Sequence, residues 1–121
     1  MSWTPAPDDH FTGDVWFGEM VEADSPEGLN VLGVLFHPRA RTDWHSHPGG
    51  QTLYVVAGAG YVVNKAGETS LIGPGDVVHA PPDELHWHGA TSSSHLFHLS
   101  LTTGGPTEWS SREVTDDQYP A

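Results

Sequence analysis

The chain has 121 residues and no cysteine, so it has the size of a single domain and cannot hold a disulfide, an iron–sulfur cluster or a thiolate zinc site. Its 16 acidic and 4 basic residues give a net charge of −12, which disfavours binding to nucleic acid or to an anionic membrane surface. No apolar run reaches the ~20 residues of a membrane helix, and the N-terminus lacks the features of a signal peptide, so we expect a cytoplasmic protein.

The chain contains 14 glycines and 10 prolines, which are typical turn residues. Short apolar runs alternate with these turns, which is the pattern of short strands. Residues 1–12 are polar and proline-containing and are predicted to form a flexible arm, and residues 13–121 a single domain. Strands are predicted, in chain order, at residues 31–36, 52–57, 61–64, 70–72, 77–80, 85–88 and 94–102. Strands at this spacing predict an all-β sandwich or barrel.

Two His-x-His pairs stand out among the nine histidines. Residues two apart on a strand point to the same face, so His45 pairs with His47, and His86 with His88. Four imidazoles on two strands can converge on one interior point, which suits a divalent metal. Gln51 follows the first pair after a Pro-Gly-Gly turn, so its amide oxygen can reach the same point. A single His-x-His pair is usually a surface or core feature, but two pairs beside turns favour a metal site.

The last predicted strand carries another histidine of interest. His98 shares one strand face with Ser100 and Thr102, whereas the opposite face is apolar. A half-polar face is expected where a strand lines a wet cavity. His98 is therefore a candidate for chemistry, and a buried, hydrogen-bonded histidine is the alternative.

These motifs resemble the two motifs of the cupin superfamily. The first runs from His-Ser-His at 45–47 through Pro-Gly-Gly to Gln51, with Gln where the family has Glu and without the family's leading Gly. The second spans 75–86 as Gly-Asp, four residues, then Pro-x-Asp-x-x-His, with Asp83 where the family prefers Gly. The resemblance covers roughly residues 31–102 and implies a single cupin barrel, a double-stranded β-helix of the jelly-roll type.

A closer resemblance is to small single-domain bacterial cupins that include manganese-dependent hydroxynitrile lyases. It is carried by Ala-Arg-Thr-x-Trp-His-x-His-Pro at 40–48, Gln-Thr-Leu at 51–53, His-Trp-His-Gly-Ala at 86–90 and Val-Thr-Asp-Asp-Gln-Tyr at 114–119. The metal ligands that it implies are His45, His47, Gln51 and His86. It also implies that His88 and His98 lie in the active site, where Thr102 replaces a glutamine of the lyases.

The implied ligands are three imidazoles and one amide oxygen, which leave two positions open in an octahedral centre. Such a set suits Mn(II), with Fe, Co and Ni as alternatives and Zn as a weaker one. The expected reaction is the reversible cleavage of cyanohydrins to an aldehyde and cyanide. In this hypothesis His88 takes the hydroxyl proton, while His98 and Thr102 stabilise or protonate the departing cyanide.

Two other functions stay open. Many cupins are Fe(II) oxygenases, although the carboxylate of the usual facial triad is missing here. A non-catalytic cupin that binds a metal or a small molecule is the other alternative, because a fold does not fix a function.

The expected partners are a small-molecule substrate and a second copy of the chain. Apolar residues occupy both faces of a predicted strand, as at Tyr54, Val55 and Val56, and outward apolar side chains need a cover. We therefore expect a homodimer. Arg41, just before the first motif, is expected to form a structural ion pair.

Overall fold

The computed structural model describes residues 2–120 and consists of two antiparallel sheets packed around a common core. The six-stranded sheet A contains, in spatial order, β1 (Trp3–Pro5), β3 (Val15–Val21), β4 (Asn30–Phe36), β12 (Leu96–Thr102), β7 (Gln51–Gly58) and β10 (Val77–Ala80). The seven-stranded sheet B contains the path β13 (Glu108–Trp109), β6 (His45–Ser46), β11 (His86–Ala90), β5 (Arg41–Thr42) and β2 (Phe11–Thr12). Sheet B is completed by β8 (Gly60–Asn64), which pairs with β11, and β9 (Thr69–Ile72), which pairs with β8.

The all-β architecture predicted from the strand spacing is confirmed, and the two packed sheets agree with the jelly-roll that the resemblance implies. The described residues contain a single 3-10 turn, Asp8–His10, as their only helical element. Among the described residues, no helix is long and apolar enough to cross a membrane. The strands that the pattern missed are mostly two or three residues long, too short for an alternation of apolar and polar residues to show.

The N-terminal segment predicted to be an arm lies against both sheets. β1 pairs with β3, and β2 pairs with β5 through Phe11 opposite Thr42. Pro5 is accommodated because β1 is an edge strand, where the missing N–H removes no hydrogen bond of the ladder. Met1 and Ala121, which belong to the predicted arm and domain, lie outside the described residues.

Two strand registers position the histidines. In sheet B, β11 pairs with β6 so that His86 lies opposite His45. In sheet A, β12 lies between β4 and β7, and Thr102 at its end is opposite Gln51. A register shift between Phe97 and His98 accompanies the β7–β12 pairing. The buried residues Leu96, His98 and Ser100 alternate with less buried ones, so the face of β12 that carries His98 points into the space between the sheets.

Behind sheet B, the C-terminal segment forms a second, smaller apolar cluster around Trp87 and Tyr119. The Tyr119 hydroxyl donates a hydrogen bond to the Ala90 carbonyl over 2.6 Å. The Arg41 guanidinium donates to the Val114 carbonyl and to the Asp116 carboxylate, with Nη2–Oδ1 at 2.9 Å. The expected structural ion pair of Arg41 is thus confirmed, and it ties this segment to the strands of the first motif.

Apolar side chains are exposed on the outer face of sheet A. Tyr54 and Val77 lie opposite each other on β7 and β10, with 43% and 64% of their surface exposed. Val56, on the same face of β7, is 41% exposed. The homodimer predicted from such side chains stays a prediction, and this face is the surface that it would cover.

Gly58 at the end of β7 is expected to be essential to the fold. It has φ +85°, and a Cβ at this position would overlap the carbonyl oxygen of His95. Gly67 has a similar φ of +83° but no atom within 4 Å of such a Cβ. Urea denaturation should therefore show a loss of about 3–5 kcal/mol for Gly58→Ala and about 1 kcal/mol for Gly67→Ala. Equal losses for the two variants would contradict a clash at Gly58.

Candidate metal centre

A cavity of about 430 Å³ lies between the two sheets and contains most of the predicted site residues. Its lining includes His45, His47, Gln51, His88 and Thr102. The remainder of the wall combines apolar and aromatic residues with polar ones, among them Glu19 and Glu22. A cavity of this size is large enough for a small organic molecule.

Three imidazoles form a tight cluster at this cavity. One ring nitrogen from each of His45, His86 and His88 lies within 4.8 Å of the other two. The pairing of β6 with β11 places His45 opposite His86, and the two-residue period of β11 puts His88 on the same face as His86. All three side chains are buried.

Main-chain carbonyls orient two of these rings. The Nδ1–H of His45 donates to the Asp43 carbonyl over 2.9 Å, and the Nδ1–H of His86 donates to the Glu84 carbonyl over 3.0 Å. In both cases the acceptor is two residues earlier in the chain. With Nδ1 protonated, each neutral ring keeps the lone pair of Nε2 available, which is the arrangement that metal-binding histidines use.

Gln51 supplies an oxygen to the same place. Its Nε2 donates to the Ser100 hydroxyl over 2.7 Å, which directs its Oε1 toward His86 Nε2 at 2.8 Å. Two acceptors then face each other with no proton between them, an arrangement that a cation would relieve. Adjacent ligands of an octahedral centre with bonds of about 2.0–2.1 Å stand roughly 2.8–3.0 Å apart. The residues present therefore fit a divalent metal.

His47 adds a further buried nitrogen. Its ring centroid lies 5.1 Å from that of His45 and 6.0 Å from that of His86. Its Nε2 is buried and has no hydrogen-bond partner within residues 2–120. The tight cluster contains two of the predicted ligands, His45 and His86, together with His88, the predicted base. Gln51 Oε1 faces His86, and His47 lies beside the cluster without being one of its three members. The roles of the four predicted ligands stay a prediction.

Burial keeps these histidines neutral. Desolvation is the largest cause in each case: it lowers the pKa of His86, lowers the pKa of His47 to about 4, and lowers the pKa values of His45 and His88 well below the usual range. Repulsion between neighbouring imidazolium charges lowers the pKa of His45, His47 and His88 further. Neutral rings retain the lone pairs that a metal or a substrate proton requires.

His98 lies behind His88, completely buried. Its Nε2 is 3.1 Å from His88 Nδ1, and burial lowers the pKa of His98 to about 3. When His88 Nδ1–H is the donor of this hydrogen bond, His88 Nε2 keeps its lone pair. Within the described chain, His88 Nε2 has no hydrogen-bond partner. His88 and Thr102 line the cavity, whereas His98 does not line it and contacts His88 from behind. The roles of all three residues stay predictions.

The sequence did not indicate which residues form the aromatic wall of the cavity. Trp109 lies opposite His45 in the β13–β6 pair, and the centroids of their rings are 4.9 Å apart. His10 stacks on Trp109 with a centroid distance of 4.3 Å and an interplanar angle of 1°. β13 has only two residues, so no alternation could have revealed that Trp109 faces the cavity.

Comparison with known proteins agrees with this architecture. The sequence profile of a family described as the cupin domain matches residues 34–101. A protein named (R)-mandelonitrile lyase from Granulicella tundricola is 42% identical over 116 residues, which are 93% of this chain and 88% of that protein.

Solved structures give the same result. A crystal structure of a cupin-like protein from Thermotoga maritima is similar with a TM-score of 0.90 and 39% identity, over 96% of this chain and 90% of that chain. The polyketide cyclase RemF from Streptomyces resistomycificus is similar with a TM-score of 0.69 and 19% identity, over 87% of this chain and 75% of that chain. The second likeness shows a shared fold alone.

His86 is expected to be required for metal uptake. Elemental analysis after incubation with Mn(II) should find about one ion per chain in the unchanged protein and none in His86→Ala, because the variant loses a ligand from the cluster. His79→Ala is the matched control, since His79 is exposed and bonds to Thr52 on the outer surface. Retention of the ion by His86→Ala would contradict the assignment.

Ser100 is expected to act on the metal through Gln51. Ser100→Ala removes the acceptor that fixes the amide of Gln51, so the affinity for Mn(II) should fall about tenfold while the fold is retained. Titration calorimetry measures this change. Ser46→Ala, on β6 between His45 and His47, provides the control. An unchanged affinity in Ser100→Ala would show that the amide needs no such support.

Proposed function

Because this chain belongs to the cupin family, we propose that it is a metal-dependent lyase that reversibly cleaves cyanohydrins to an aldehyde and cyanide. The observation that carries the proposal is the cluster of neutral, buried imidazoles facing Gln51 Oε1 beside a cavity of about 430 Å³. The likeness to a protein named for mandelonitrile directs the choice of reaction.

The ligands we propose for the metal are His45, His47, Gln51 and His86. Mn(II) is our proposed ion, and the same nitrogen and oxygen donors would accept Fe, Co, Ni or Zn. A divalent ion held there supplies Lewis acidity that lowers the pKa of a substrate hydroxyl. Because all four ligands are neutral, they leave its charge undiminished.

His88 is our proposed base. His88 belongs to the cluster with His45 and His86, and its Nε2 has no hydrogen-bond partner in the described chain. This nitrogen would take the proton of the substrate hydroxyl. The oxygen then forms the aldehyde carbonyl while the C–C bond to the nitrile carbon breaks, and cyanide leaves with the electron pair. The lowered pKa of His88 favours prompt transfer of the same proton to cyanide, which departs as hydrogen cyanide.

His98 and Thr102 are proposed to support this transfer from different positions. His98 Nε2 accepts the Nδ1–H of His88 and so fixes the ring orientation and tautomer of the base. Thr102 lines the cavity and is opposite Gln51 in the sheet, where its hydroxyl can donate to the departing nitrile nitrogen. His98 is thus a positioning residue in this scheme.

Cyanide release from mandelonitrile tests the proposal. Protein of measured metal content should release cyanide with added Mn(II), and a chelator should abolish the release. His88→Ala should retain its metal and its circular dichroism spectrum but lose about 10²–10⁴ in kcat, because the proton acceptor is gone. His79→Ala should behave like the unchanged protein. A metal-loaded protein that releases no cyanide would rule out this reaction.

An Fe(II) oxygenase is the second candidate, and the three-imidazole cluster favours it because imidazole also binds iron. No Asp or Glu joins that cluster among the described residues, so the usual carboxylate of the facial triad is missing. Consumption of oxygen during turnover would place this candidate first. A cupin that only binds a small molecule would need no free nitrogen at His88, which ranks that function last.

A further inference from the structure

The positive charges of the molecule lie away from the cavity. Arg39 and Arg41 each lie against the ring of Tyr119, at 4.7 Å and 4.8 Å from its centroid, behind sheet B. Arg112 faces Trp44, and Lys65 lies in the turn between β8 and β9. These are all four Lys and Arg residues of the chain, and none lines the cavity.

Negative charges, by contrast, line the cavity or lie beside it. Glu19 and Glu22, at the end of β3, belong to its lining and are exposed. His10 also lines it, but carboxylate oxygens of Asp9 and Asp43 lie 3.7 Å and 3.8 Å from its two ring nitrogens. Acidic side chains therefore outnumber basic ones on and beside this part of the wall.

Aromatic rings occupy the same wall. The centroid of Phe11 is 5.3 Å from that of Phe17 and 5.5 Å from that of Trp109, both in edge-to-face geometry. All three residues line the cavity together with Glu19. Aromatic faces carry partial negative charge and attract cations, especially next to carboxylates.

The inner end would have the opposite electrostatic character with the proposed metal bound. Its neutral donors would leave a divalent ion with its full charge, which would favour a hydroxyl or alkoxide oxygen. We propose that the cavity selects aryl cyanohydrins and aldehydes whose ring substituent is neutral or cationic, and rejects those with an anionic substituent. The reacting group binds at the positive end and the ring at the negative, aromatic wall. This inference rests on the proposed function for its reacting group, but the charge preference can be measured independently.

Binding of unreactive benzyl alcohols tests the preference. Titration calorimetry of the Mn(II)-supplemented protein would compare para-trimethylammonio, para-tert-butyl and para-carboxylate benzyl alcohol, the first two being alike in shape. The cation should bind about tenfold more tightly than the anion at low salt, and 0.5 M salt should reduce the ratio. The corresponding aldehydes would be assayed for cyanide addition with the unchanged protein and with a double variant, Glu19→Gln with Glu22→Gln. The ratio of the two kcat/KM values for each aldehyde cancels its intrinsic reactivity. This ratio should show the same order as the binding affinities.

The double variant should lose most of the charge preference. Glu68→Gln with Asp117→Asn removes the same net charge from positions outside the cavity lining and should keep the preference. Equal affinities for cation and anion, no binding of any probe, or an equal loss of preference in both double variants would overturn the inference. A charge preference in binding without cyanide release would leave the charge selection by the cavity wall standing and would remove the proposed function together with the cyanohydrin and aldehyde as reacting groups.

Discussion

Five buried histidines at one end of a two-sheet core are the constraint on which the rest of the structure depends. Burying imidazoles is tolerable only while they stay neutral and their polar atoms find partners. Carbonyls of Asp43 and Glu84 satisfy Nδ1 of two rings, and the contact between His98 and His88 satisfies one nitrogen of each. Ring nitrogens of His45, His86 and His88 lie within 4.8 Å of one another, so the strands that bury these rings also create the site.

Features of the fold and the site that depend on residues close together in the sequence could be predicted, whereas those that depend on distant residues could not. The two-residue period of a strand predicted that His45 and His47, and His86 and His88, share faces, and the fold class followed from strand spacing. The close approach of the two histidine pairs depends on the register of β6 against β11. The local sequence pattern does not specify this register. Ser100 shows the limit, because its contact with Gln51 joins residues 49 positions apart.

Two parts of the protein have separate tasks. The cavity side carries acidic, aromatic and neutral imidazole groups, whereas the arginines lie behind sheet B, where they hold the C-terminal segment. Arg41 joins β5 to Val114, and Tyr119 joins β11 through the Ala90 carbonyl. The strand that carries His86 and His88 is therefore supported, on the face opposite the site, by residues that lie outside the cavity lining.

The central position of β12 has a consequence for biosynthesis. This strand pairs with β4 and β7, which precede it by many residues, so sheet A is built from contacts of high contact order. During translation, the strands on either side of β12 cannot be joined until residue 102 has left the ribosome. The four proposed ligands emerge earlier, but Gln51 lacks its contact with Ser100 until β12 is in place, so a metal should reach its full affinity only when the sheet is complete.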